Sequence, residues 1–161
     1  MNESRGLQVV SPDHMLARAN QVFDAIARRA FEIFDGKGHQ LGRDLDDWLQ
    51  AERELLRPVQ VSISESAEAV TVAAEVPGFR EEDIKVSAEP RRLTISGKRE
   101  SRTEKTVKGK AVYGERRSDE IFRVIDLPAT VDATDAAVKA TYKQGVVTVT
   151  LPKAKTPSSG R

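Results

Sequence analysis

The sequence predicts a mainly β protein, in which a two-helix hairpin precedes one antiparallel β-sandwich. Three observations lead there. Apolar residues recur every three or four positions before Pro58, they alternate with polar ones after it, and no helix-length periodic segment separates the alternating runs. A chain of 161 residues with 39% hydrophobic content has room for one core and a satellite, but not for two full-sized domains. The chain divides into a disordered arm (1–10), a helical hairpin (11–57), a sandwich (58–153) and a disordered tail (154–161).

In the hairpin, Ser11 can cap free N–H groups and Pro12 suits a first helical position. Leu16, Ala19, Phe23, Ile26, Ala30 and Phe34 then fall on one helical face, with a polar face opposite, and the helix ends at Gly36 or Gly38. Asp44 can cap a second helix with Asp46 and Asp47 in its first turn, and Pro58 prevents continuation beyond Arg57. The second apolar stripe is Leu45, Trp48, Leu49, Leu55 and Leu56. Phe31, Phe34 and Trp48 read as hairpin core, with a ligand site as the rival reading. Two short helices joined by a Gly-rich link make a unit too small to be very stable alone, so leftover apolar surface is expected to meet a partner.

In the body, Val59, Val61 and Ile63 point one way while Gln60, Ser62 and Ser64 point the other, the pattern of a half-buried strand. Similar alternation follows at Val70–Val76, Ile84–Ala88 and Leu93–Ile95, and further runs span Ile121–Leu127, Val138–Tyr142 and Val146–Leu151. These make about seven short strands, as in a sandwich. Gly145 joins two alternating runs where a tight connection needs positive φ, and Gln144 must share that turn. Arg123, between Phe122 and Val124, is costly in a strand unless its guanidinium is paired; the alternative is an exposed strand arginine.

Composition narrows the function classes. Lys and Arg total 26 against 25 Asp and Glu, so nothing global draws nucleic acid or membranes, and no segment is apolar enough to serve as a signal peptide or membrane span. Cysteine is absent, which excludes disulfides and thiolate metal sites and suits a reducing cytoplasm. Bases outnumber acids between Lys98 and Arg117, a stretch that reads as a solvated excursion; a nucleic-acid site is the rival reading, but stacking aromatics are nearly missing. With only His14 and His39, no cysteine, no phosphate loop and no metal-ligand spacing, the sequence predicts no enzyme, no cofactor and no metal.

Several motifs then appear in order. Ala140-Thr-Tyr-Lys-Gln-Gly145 leads into Val-Val-Thr-Val-Thr-Leu151-Pro-Lys153. Val76-Pro-Gly-Phe-Arg-Glu-Glu-Asp-Ile84, Leu93-Thr-Ile-Ser-Gly-Lys-Arg99 and Ile121-Phe-Arg123-Val-Ile-Asp-Leu-Pro128 precede it. Over Val59 to Lys153 the chain resembles the small heat-shock protein (Hsp20, α-crystallin domain) family, with Gln144 replacing the usual Asn. The hairpin, from Ala27-Arg-Arg-Ala-Phe-Glu-Ile-Phe34 to Asp44-Leu-Asp-Asp-Trp-Leu-Gln-Ala-Glu-Arg-Glu-Leu55, resembles a small uncharacterised bacterial domain.

The first resemblance implies an immunoglobulin-like antiparallel sandwich, and an ATP-independent holdase that binds unfolding client proteins. It implies a client groove between Ile84, Val86 and Ala88 on one strand and Val138, Ala140 and Tyr142 on another; the competing reading is that all six fill the core. It also implies a homodimer in which the Lys98–Glu120 excursion carries a strand, best placed at Thr106–Tyr113, that pairs with the partner's Val59–Ile63 strand. Val59, Val61, Ile63, Val107, Val112, Tyr113 and Arg123 are then interface candidates. The family's tail motif, Ile-x-Ile or Ile-x-Val, is not found in Lys153–Arg161, which argues against higher-order assembly through the tail. Leu7-Gln-Val9 has the same apolar-x-apolar spacing and is expected to fill the groove instead. Two rivals stand beside the holdase: a co-chaperone module, and a dimeric platform on which the hairpin does the work.

Overall fold

The computed structural model describes residues 7–38, 42 and 44–155, with the side chains of 101–107 and 111–118 outside the described set. Strand β1 (Gln8–Val9) leads into α1 (Pro12–Gly36) and α2 (Asp44–Leu55). The remaining strands are β2 (Gln60–Glu65), β3 (Ala69–Glu75), β4 (Ile84–Glu89), β5 (Arg92–Val107), β6 (Lys110–Asp126), β7 (Lys139–Lys143) and β8 (Val146–Pro152). They form two four-stranded sheets, ordered β1-β4-β5-β6 and β2-β3-β8-β7. All pairings are antiparallel except β1 with β4.

The core lies between the two sheets because period-two alternation sends one side chain in two inward. Val70, Val72 and Ala74 on β3 face the same layer as Val147, Val149 and Leu151 on β8, and all six are fully buried. Leu93 and Ile95 on β5, with Ile84 and Val86 on β4, supply the opposite wall. Fully burying each such aliphatic side chain contributes about 1.5–3 kcal/mol, so this layer dominates stability.

Ser11 caps α1 by accepting a hydrogen bond from the His14 N–H at 3.1 Å, and Pro12 occupies the first turn. The apolar face differs from the expected one. Met15, Val22, Ile26 and Ile33 are buried, whereas Leu16 and Phe23 are exposed, so the face is turned and the side opposite is not purely polar. Apolar residues cover about half the circumference of α1, and spacing alone does not choose which part of a wide arc packs. On α2, Ala51 is fully buried against α1 with Trp48 and Leu55 partly buried, as is Leu56 just past the helix, while Leu45 and Leu49 face outward. Asp47, in the first turn of α2 as expected, is buried and accepts a hydrogen bond from Lys37 Nζ at 3.1 Å. Arg29 holds the Glu54 carboxyl below its ordinary range through a 2.6 Å hydrogen bond that ties the two helices together.

Two further expectations are corrected. Residues 7–10 of the supposed disordered arm are strand-paired, because sheet edges offer their backbone groups partners. Thr106–Tyr113 is not one strand: it folds back at Lys108 (φ 51) and Gly109 (φ 77), so that β5 and β6 form one long ribbon. The same two-residue turn with paired positive φ joins β7 to β8 at Gln144 (φ 52) and Gly145 (φ 79), matching the twist of the flanking strands.

At Gly145 a Cβ would also approach Pro77 to 3.3 Å. Gly145→Ala is therefore expected to lower unfolding free energy by about 1–2 kcal/mol in urea titration, and Gln144→Asn to leave it equal or slightly higher.

Candidate polypeptide-binding channel

On β4, Ile84, Val86 and Ala88 all point inward and are buried. Across the gap between the sheets stand Val138, just before β7, and Ala140 and Tyr142 on β7; the first two are buried and Tyr142 is partly so. Tyr142 is fixed by its hydroxyl, which donates to the Val76 carbonyl at 2.8 Å. The structure thus brings all six groove candidates to one side of the sandwich, where β4 and β7 each turn an edge toward the same space.

That space is filled by residues 7–10. Leu7 is buried in the sandwich core, Val9 packs against the same core, and Gln8 between them is exposed, the alternation of a strand seated in a groove. Its backbone spans both sheets: the Leu7 N–H donates to the Ala140 carbonyl at 2.8 Å, and the Val10 N–H donates to the Val86 carbonyl at 2.8 Å. Gln8 and Val9 run parallel to Lys85 and Val86. The small side chains at Ala88 and Ala140 limit how far the channel walls protrude, which suits an occupant with large residues at alternate positions.

Past Ser11 the chain enters α1, which lies on the outer face of the same sheet. Arg18 on α1 donates from Nε to Ser96 Oγ at 3.1 Å and pairs with Glu120 on β6. Ser87, Thr94 and Ser96 point outward from β4 and β5 yet are buried, consistent with coverage by α1. Sequence reasoning missed this contact. The available signal was the run of small polar residues at those outward positions, flanked by Lys85, Arg92 and Lys98 at positions that reach water.

The interface candidates are only partly gathered. Val59 is buried, Val61 partly buried, and Ile63 is 42% exposed on β2, an edge strand of its sheet. Arg123 is exposed, and its Nη1 donates to the Val59 carbonyl at 3.4 Å. The side chains of Val107, Val112 and Tyr113 lie outside the described residues; their backbones pair with Lys110, Lys105 and Glu104 within the ribbon. Beside Arg123 a cleft of about 530 Å³ is lined by Glu52, Arg53, Leu56, Arg57 and Phe122. Arg57 is already engaged there, lying 5.2 Å over the Phe79 ring and donating to the Pro77 carbonyl at 3.0 Å. Among the described residues no cluster of His, Asp or Glu could hold a metal ion, and no helix is long and apolar enough to cross a membrane.

With this arrangement in view, comparison with known families is decisive for the sandwich: residues 62–161 match the Hsp20/alpha crystallin family. The chain belongs to that family. Residues 24–57, from the middle of α1 to the end of the hairpin, match a family described only as a protein of unknown function (DUF2934). Heat shock protein 16 of Schizosaccharomyces pombe is 37% identical over 95 residues, which cover 58% of this chain and 64% of that protein. Heat shock protein HSP.16.4 of Streptococcus thermophilus is 35% identical over 131 residues, 81% of this chain and 84% of its own length. Among solved structures, heat shock protein 16.0 from Schizosaccharomyces pombe aligns over 65% of this chain and 94% of its own, with 31% identity and a TM-score of 0.47.

Arg18 fastens α1 to this Hsp20 sandwich through Ser96 and Glu120. Arg18→Ala is expected to cost about 1–3 kcal/mol of unfolding free energy, because it also strands Glu120 at a site of low exposure. Urea denaturation of Arg18→Ala, Glu120→Gln and the double variant measures the coupling.

Proposed function

We propose that the protein is an ATP-independent holdase, not an enzyme, which takes extended apolar segments of unfolding proteins into the channel between β4 and β7. The observation that supports this most directly is the seating of residues 7–10. An apolar-x-apolar segment there is held by backbone hydrogen bonds to Val86 and Ala140, contacts that do not depend on the identity of its side chains. Any extended chain with apolar residues at alternate positions can make the same bonds. The chain's own arm then acts as an intramolecular plug, and a client segment has to displace it.

The working unit in this reading is a homodimer in a reducing cytoplasm. β2 lies at the edge of its sheet, and Ile63 shows apolar surface there. The β5–β6 ribbon of a second copy is the element available to cover that edge. Arg123 then comes to lie within the dimer contact.

Light scattering of a heat-unfolding test protein, with no nucleotide present, checks the activity. The wild-type chain is expected to suppress scattering in a dose-dependent way. Ala140→Asp is expected to abolish suppression while the far-ultraviolet dichroism stays native. Leu7→Ser with Val9→Ser, which weakens the plug, is expected to protect at a lower ratio of chain to client. Scattering unaffected by the wild-type chain overturns the proposal, and an unfolded Ala140→Asp variant assigns that residue to the core.

A further inference from the structure

Helix α1 carries a second apolar face that α2 covers only in part, through Trp48 at Phe23. Leu16, Phe23 and Phe31 are 60%, 58% and 64% exposed. At about 100° per residue they share an arc roughly 80° wide, turned about 120° from the buried Met15, Val22 and Ile33. The face extends onto α2, where Leu45 is 70% exposed and the Trp48 ring lies 4.6 Å from that of Phe23. Isolated exposed apolar residues are ordinary, but a row of large ones along a single helix marks a contact surface.

The spacing along this stripe and the charges beside it say what covers it. Leu16, Asn20, Phe23, Ala27 and Phe31 follow one another on the face at intervals of three and four. When a second copy of α1 is laid antiparallel with Ile26 level in both, the two rows interleave. Phe31 of one copy comes level with Gln21, between Asn20 and Phe23 of the other, and Phe23 comes level with Arg29, between Ala27 and Phe31. Each large ring therefore meets a gap in the opposing row rather than another ring.

The charges agree with the same register. Asp24 and Arg28 stand on the rim of the stripe away from α2, at equal distances on either side of Ile26. The antiparallel arrangement brings Asp24 of each copy level with Arg28 of the other, two opposite-charge contacts related by the two-fold axis. Asp35, a further acid on this rim, comes level with the uncharged Ala17. A two-fold axis perpendicular to both helices sets these rims side by side, whereas a parallel pair separates them on opposite sides of the contact. Asp24 and Arg28 also stand four apart in the order that favours pairing within one helix, yet among the described residues neither is ion-paired in the single chain.

We propose that this face joins two copies of the chain through an antiparallel α1–α1 contact. Apolar burial supplies the attraction, and the rim charges select the partner and its direction. The contact is separate from the ribbon exchange at β2, so one chain has two different self-complementary surfaces and can build beyond a dimer.

The chain has no cysteine, so single introduced thiols report the contact without background. Ala27→Cys lies on the stripe beside the symmetry centre and is expected to give covalent dimers on mild oxidation. Asn20→Cys lies on the same stripe about 18 Å from its symmetry mate along the axis, and is expected to stay uncrosslinked. In the Ala27→Cys background, Asp24→Arg is expected to slow crosslinking at least about tenfold. Asp24→Arg with Arg28→Asp is expected to restore it. Absent crosslinking through Ala27→Cys, equal crosslinking at both positions, or no rescue by the double reversal overturns the proposal. An environment-sensitive label at Ala27→Cys that responds to an unfolded protein without any crosslinking assigns the stripe to clients and likewise overturns it. Because the readout is a denaturing gel, failure of the sandwich dimer or of holdase activity leaves these outcomes unchanged.

Discussion

The organisation of this Hsp20 protein depends on two sheet edges that face one another across an apolar gap. The carbonyls of Val86 and Ala140 point into that gap, and buried backbone acceptors without partners are costly. An extended segment running along the channel satisfies both edges and closes the core in one step. Residues 7–10 do this here, with Leu7 buried among the sandwich residues and Val9 packed against them. The position of the hairpin follows, since the chain leaves the channel at Val10 and is capped into α1 at Ser11.

This ordering links the arm to the helices mechanically. Only the seven residues 11–17 separate Val10, which is bonded to β4, from Arg18, which holds Ser96. A short tether therefore joins the occupant of the channel to the helix docked on the outer face of the same sheet. A segment that entered the channel would release Leu7–Val10 and leave the Arg18 contacts with Ser96 and Glu120 in place, because these lie on the other side of the sheet. The hairpin would remain attached while the plug moved.

Much of the fold was legible because period-two alternation is a direct consequence of strand geometry: Val70 to Val76 and Val146 to Leu151 needed no further information. The turn at Gln144-Gly145 was legible for a similar reason, since few residue pairs tolerate positive φ in succession. The groove candidates rested on family resemblance; alternation says that Val86 and Ala140 point inward but not that they flank a common gap. The inner face of α1 was misread because its apolar arc is too wide for spacing to resolve, and Arg18 was missed because its partners are 78 and 102 residues away. The ribbon was misread because a Lys-Gly turn leaves little mark amid charged residues, where no core contact disciplines the pattern.

Hydrogen exchange at the Leu7 and Val10 amides tests the central claim most directly, since these two groups donate to Ala140 and Val86. On titration with a permanently unfolded protein, both amides are expected to lose protection while amides bonded between β4 and β5 keep theirs. Protection at Leu7 and Val10 that persists at saturating unfolded protein would contradict the account, because the channel would then never exchange its plug for a client.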